Sequence, residues 1–171
     1  MKYLILCIGL LLTVTAYGQG DFAITTNGLE PKFCTSSIDH LASSELYEKT
    51  LTWIEENQEE YKLSIDEKIE GEMIELTSIK WNAVNLSDKY FIAHYHIRLN
   101  FEEDQYQFKP TAIQLKLNSK YDMGLEDFDL TGGEMYFKKG KVIKKYKAYL
   151  DDITALLNEL NLQLNAYLKS N

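Results

Sequence analysis

From Phe91 to Phe101 every odd-numbered residue is apolar: Phe91, Ala93, Tyr95, Ile97, Leu99 and Phe101. The even-numbered series beside it runs Tyr90, Ile92, His94, His96, Arg98, Asn100. Side chains alternate sides along a strand, so this pattern predicts one long β-strand with a dry face and a wet face. A sheet containing it needs an apolar cover on the odd side and can stay open to water on the even side. Tyr90, Ile92, His94, His96 and Arg98 are therefore the candidate ligand-binding surface.

The first eighteen residues read as an export signal. Lys2 supplies the positive start, Tyr3 to Val14 is apolar, and Ala16 and Gly18 are the small pair before a cut after Gly18. About a dozen apolar residues fall short of the roughly 20 that span a bilayer, which favours cleavage over anchoring. Cys7 has the wrong neighbours for a lipoprotein cleavage box, so no lipid anchor is expected. The expected compartment is the periplasm or the outside of the cell, with residues 19–171 forming one domain. Cys34 is then the sole cysteine, so no internal disulfide forms and stability rests on packing.

Loss of Lys2 leaves 17 basic against 26 acidic side chains, a formal charge of −9. Binding to phosphate backbones depends on clustered Lys and Arg, so nucleic acid is not an expected partner. The longest basic run, Lys138 to Lys147, is countered by Asp151 and Asp152. The acids Glu55, Glu56, Glu59 and Glu60 read as the solvated end of a helix.

Along the chain, a short strand is predicted at Lys32 to Thr35, with Pro31 at its edge. Ser43 or Ser44 offers an N-cap for an amphipathic helix from about Ser44 to Glu59, with Leu46, Thr50 and Trp53 on one face. A hairpin follows through a Glu70-Gly71 turn, and the changed phase of Ile79 and Trp81 predicts a bulge near Thr77 and Ser78. Gln105 to Leu117 changes phase at Pro110, which predicts a bulge or an edge position there. Asn118 to Gly133 reads as loop. From about 142 to 169, Ile143, Tyr146, Leu150, Ile153, Leu157, Leu160, Leu164 and Tyr167 form one apolar stripe, a helix long enough to cover the sheet. The stripe from Leu157 to Tyr167 also leaves open a homodimer built as a coiled coil.

The order strand, helix, four-stranded meander, long helix is α+β. It predicts a two-layer body, an antiparallel sheet of about five strands with two helices on one face. The chain resembles a family of exported bacterial proteins known as a domain of unknown function with a TATA-binding-protein-like fold. The matching stretches are Glu45-Leu46-Tyr47-Glu48-Lys49 leading to Trp53-Ile54, Ile69-Glu70-Gly71, Phe101 to Phe108, and Tyr136-Phe137-Lys138-Lys139-Gly140 leading to Lys144-Lys145-Tyr146-Lys147. These are packing and turn residues, so the resemblance implies a fold and no catalytic residues. Where that family often has glycine in the last hairpin, this chain has Asp104.

His94 and His96 lie about 6.6 Å apart along one strand face, and a carboxylate from a neighbouring strand would be needed to complete a zinc site. Arg98 beside them disfavours a divalent ion. Paired acids such as Asp127 with Asp129, or Asp151 with Asp152, have the chemistry for acid–base work but read as solvated loop and helix-start acids, and no nucleophile motif accompanies them. The leading expectation is a non-enzymatic binding or adaptor domain with no cofactor, no metal and no catalytic residue, taking a protein or small ligand in the cell envelope. The rivals are a structural partner assembling through the last helix and a metal-dependent hydrolase using His94 and His96.

Overall fold

The computed structural model describes residues 20–121 and 124–170; the stretch read as an export signal, with Cys7 and the expected cut after Gly18, lies outside them. Among the described residues no helix is long and apolar enough to cross a membrane. A small hairpin of β1 (Ala23–Thr25) and β2 (Gly28–Glu30) opens the fold where the sequence shows only a polar lead. The predicted first strand lies two residues later than expected, as β3 (Cys34–Ser37), because Glu30-Pro31 and Lys32 turn the chain out of the hairpin first.

Helix α1 (Ser43–Tyr61) follows. Its N-cap is Ala42, neither Ser43 nor Ser44, and Glu45 reaches back to accept the Ala42 backbone N–H at 3.0 Å. The carboxylate at the third helical position takes up the N-cap N–H, the reciprocal half of a capping box, and its charge suits the helix start. Lys62, in the left-handed conformation, ends the helix and starts the meander.

The meander is β4 (Leu63–Ile69), β5 (Met73–Leu86), β6 (Lys89–Glu102) and β7 (Gln105–Leu117), all antiparallel. Ser87 and Asp88 both have positive φ and close β5 onto β6 in a two-residue turn, while Asp104 takes positive φ in the β6–β7 turn. The strand order is β3-β7-β6-β5-β4, and a further short strand, β8 (Glu126–Asp127), joins the far end of β7 inside the stretch read as loop. The main sheet thus has six strands against the five expected.

The long strands β5 and β7 each carry one bulge. Thr77 and Ser78 stay in register with His96 and Tyr95; the break in β5 falls between Lys80 and Val84, where Asn82 takes positive φ. Buried Ser78 holds the ladder straight by donating to the Tyr61 carbonyl at 2.7 Å. In β7 the register shifts across Thr111, directly after Pro110. Pro110 pairs with Ile97 of β6 and, on its other edge, sits between the stretch of β7 paired with β3 and the stretch paired with β8, an edge position that tolerates a missing N–H.

β9 (Phe137–Lys138) and β10 (Lys141–Val142) form a tight hairpin over Lys139-Gly140, and α2 (Lys147–Ser170) starts after a 3-10 turn at Lys144–Tyr146. The last helix therefore begins five residues later than its apolar period suggests, because the hairpin turn uses the positive φ of Lys139 and Gly140. Leu157, Leu160, Leu164 and Leu168 are fully buried. Each such leucine contributes about 1.5–3 kcal/mol of burial. That stripe is spent inside the chain, which removes it as a coiled-coil seam.

Ala93, Tyr95, Ile97, Leu99 and Phe101 of β6 lie in the same core as both helices, and the helices pack on that one face of the sheet. Phe128, Tyr136, Tyr146 and Tyr149 form an aromatic cluster that fastens the segment after β8 to the start of α2.

Candidate functional site

The face of the sheet turned away from the helices carries the even residues of β6, as the alternation predicts. His94, His96, Arg98 and Asn100 are half-buried there, and Tyr90 is 50% exposed. Ile92 departs from the expected wet surface: it lies on this side but is only 7% exposed. It pairs with Lys116, and the Asn118 amide donates to Asn82 at 2.7 Å, joining the two strands that flank β6. Trp81 is 65% exposed. Lys80 reaches α2 through Glu159 at 3.7 Å, so alternation puts Trp81 on the open side, in the bulge beside Ile92.

One row of side chains crosses this face through five strands. Thr77 Oγ1 on β5 donates to Asp66 Oδ2 on β4 at 2.6 Å and lies 2.9 Å from His96 Nδ1 on β6. His96 Nε2 is 3.3 Å from Gln114 Oε1 on β7, and Gln114 Nε2 donates to Asp127 Oδ1 on β8 at 2.9 Å. The bulge at Asp66 swings its carboxylate over Thr77, and the β7–β8 register sets Asp127 opposite Gln114. A depression of about 330 Å³ lies over this row, lined by Asp66, Glu75, His96, Thr111 and Gln114.

Arg98 is tied to β5. Its Nε donates to Glu75 Oε1 at 2.6 Å, and a terminal guanidinium nitrogen reaches the same oxygen. Asn100 donates to Gln107 at 3.3 Å. The His94 pKa lies below its ordinary value, chiefly because burial disfavours the charged ring, with the His96 and Lys116 charges adding to it.

Both ring nitrogens of His96 are engaged, so a metal bound at either would displace a hydrogen bond. Among the described residues no group of three His, Cys, Asp or Glu side chains is placed to hold a metal ion. The paired acids part company. Asp127 ends the cross-sheet row, whereas Asp129 folds back on Thr131 and Gly132, whose hydrogen bonds hold its carboxyl below the usual range. Asp151 pairs with Lys147 at 2.7 Å, and Asp152 accepts from the Asn85 N–H at 3.1 Å. Cys34 is buried, and desolvation pushes its thiol up to about 11, which suits a core residue rather than a nucleophile.

Sequence reasoning puts Tyr90, His94, His96 and Arg98 on one face of β6, but does not reach Trp81 or the His96 partners Thr77 and Gln114. Thr77 and Gln114 are visible only once strand register is known, and both flanking strands are bulged. A one-residue error there puts the wrong side chain opposite His96.

These features define an antiparallel sheet roofed by two helices on one side and bare on the other, the TATA-binding-protein-like class of α+β fold. The chain is similar in structure to a DUF4468 family protein from Bacteroides ovatus, with a TM-score of 0.63 and 11% identity over 80% of this chain and 84% of that one. It is also similar to a TBP-like protein from Parabacteroides distasonis, with a TM-score of 0.57 and 15% identity over 80% of this chain and 90% of that one. No family model matches the sequence, and no curated protein does. At such identities the likeness shows the fold alone.

Proposed function

We propose that this chain is an exported binding domain without catalytic chemistry, and that it engages a protein partner through the open sheet face. The observation that carries this reading is the exposure of Trp81 and Tyr90, both at least half exposed at the Ile92 end of the sheet, with Arg98 paired to Glu75 at the other end of the same β6 face, about 26 Å from Tyr90 along the strand. Trp, Tyr and Arg are the residue types that dominate binding energy at protein interfaces, because each offers a large rigid surface with a polar handle. Arg98 is pre-positioned by its ion pair, so little side-chain freedom is lost on contact. Export is supported by the charged start, apolar run and small-residue cut of the first eighteen residues.

Site-specific photocrosslinking in the producing cell tests this. A crosslinker at position 90 is expected to give one adduct of defined mass, lost in Trp81→Ala. The same probe at position 162, on the solvent side of α2, is expected to give none. Equal adducts from both positions, or none from position 90, overturn the reading.

A further inference from the structure

The row Asp66, Thr77, His96, Gln114, Asp127 has an acceptor at each end. An ionised carboxylate only accepts, a hydroxyl has one hydrogen to give, and an amide donates through nitrogen and accepts through oxygen. Thr77 gives its hydrogen to Asp66, which leaves its oxygen to accept from His96 Nδ1. Gln114 turns its nitrogen to Asp127, which leaves its oxygen to accept from His96 Nε2. Both halves of the row therefore require a hydrogen from the imidazole, and only the doubly protonated ring carries two. A neutral ring serves one side and faces the other lone pair to lone pair.

We propose that His96 is a proton-operated clasp: its imidazolium form completes an unbroken hydrogen-bond chain from the edge strand β4 to β8, and loss of the proton opens one link beside β6. When the clasp is closed, β8 is tied to the middle of the sheet by side chains as well as by its two-residue ladder to β7. When it is open on that side, the ladder and the Gln114–Asp127 bond hold it to β7, but no side chain links it on to β6. The charged and titratable groups on the same face are Asp66 and Glu67 from β4, Glu75 from β5, His94 and Arg98 from β6, Lys109 and Lys116 from β7, and Asp127 from β8. Asp66 and Asp127 favour the charged ring, the Glu75 pair offsets Arg98, and Lys116 opposes it. Burial disfavours the charged form of His94, so its ring adds less opposing charge than a free imidazole would. The inference concerns the hydrogen bonds of the chain itself and stands whatever the face binds.

Ring-nitrogen NMR of the full 15N-labelled chain between about pH 5 and 8 tests it, with His40→Gln and His94→Gln variants assigning the signals. The unsubstituted chain is expected to show both His96 nitrogens protonated at the acid end. Two isosteric variants then separate hydrogen-bond direction from charge. Asp127→Asn puts a donor at that end, turns the Gln114 amide round, and satisfies a neutral ring with its hydrogen on Nδ1. Asp66→Asn puts a donor at the other end, turns the Thr77 hydroxyl toward Nδ1, and satisfies a neutral ring with its hydrogen on Nε2. The two variants are thus expected to show opposite neutral tautomers. Loss of a charge outside the row, as in Glu67→Gln, selects neither. The same tautomer in both variants, or a bare ring nitrogen in the unsubstituted chain down to about pH 5, overturns the proposal.

Discussion

The Asn158 side chain pairs with the backbone of Phe22 as a neighbouring strand would: Phe22 N–H donates to Asn158 Oδ1 at 2.7 Å, and Asn158 Nδ2 donates to the Phe22 carbonyl at 3.0 Å. The residues are 136 positions apart, and the pair seats the N-terminal hairpin on α2. Phe22 packs beneath it against Phe108, with ring centroids 5.8 Å apart.

Asn158→Leu removes both bonds and leaves two backbone groups of Phe22 without partners. We expect a loss of about 1–3 kcal/mol, read as a lower urea midpoint with an unchanged slope. Asn158→Asp keeps the acceptor but sets a carboxylate against the Phe22 carbonyl, and it is expected to cost at least as much.

Gly133 lies where a Cβ would come 1.9 Å from the Thr25 carbonyl oxygen, and a Cβ at Gly28 would meet the Leu130 carbonyl at 2.3 Å. The two segments are laced by Leu29 N–H to Leu130 O at 2.9 Å and Gly133 N–H to Thr26 O at 3.1 Å. Gly133→Ala is expected to cost about 1–3 kcal/mol and to raise hydrogen exchange at Leu29, because the backbones must separate. Gly20→Ala, where a Cβ meets nothing within 4 Å and φ is not positive, serves as a control for side-chain volume.

Leu160→Ala opens the centre of the α2 stripe and is expected to cost about 2–5 kcal/mol. Leu162→Lys, on the exposed side of the same helix, is expected to change stability by less than about 0.5 kcal/mol. A coiled-coil seam on the buried stripe would make stability depend on protein concentration; equal unfolding midpoints across a wide concentration range check this.

The His94 pKa is lowered in the folded chain, so the charged ring is disfavoured there. Between the ordinary imidazole value of about 6.5 and the lower folded value, the unfolded chain binds more protons than the folded one. Stability from this group is therefore full above that window and falls as the pH drops through it. His94→Gln is expected to flatten the fall in urea midpoint between about pH 7.5 and 5.5, and a slope equal to that of the unsubstituted chain would refute the assignment.

Cys34 is buried, and its thiol is pushed up to about 11. It is expected to resist thiol reagents at neutral pH and to react at the rate of opening once urea is added. Labelling as fast as that of free cysteine in the native protein would contradict its burial.

Much of this fold is legible in the chain because it rests on local periodicity. The alternation from Phe91 to Phe101 sorts the two faces of β6 correctly, and the three- and four-residue spacing of Leu157, Leu160 and Leu164 identifies the buried stripe of α2. The Glu70-Gly71 turn and the disruption at Pro110 are equally local, since turn chemistry and a missing N–H act within a few residues. What escapes depends on distant partners. β8 gains its strand character only by pairing with β7, and the bulge predicted at Thr77 moves beyond Lys80 because Ser78 is held by Tyr61. The start of α2 is set by the Lys139-Gly140 hairpin, which the apolar period passes over.

The amino-acid order by itself determined which side chains stand on the same side of each strand and helix, because that follows from the backbone repeat alone. It placed His94, His96 and Arg98 on the face away from the core. Only the tertiary structure decided that His96 lies between Thr77 and Gln114 with a carboxylate at each end of the row, and that Ile92 is closed off while Trp81 is not. Those neighbours come from strands brought alongside one another, and two bulges set their register, so no rule of local spacing contains them.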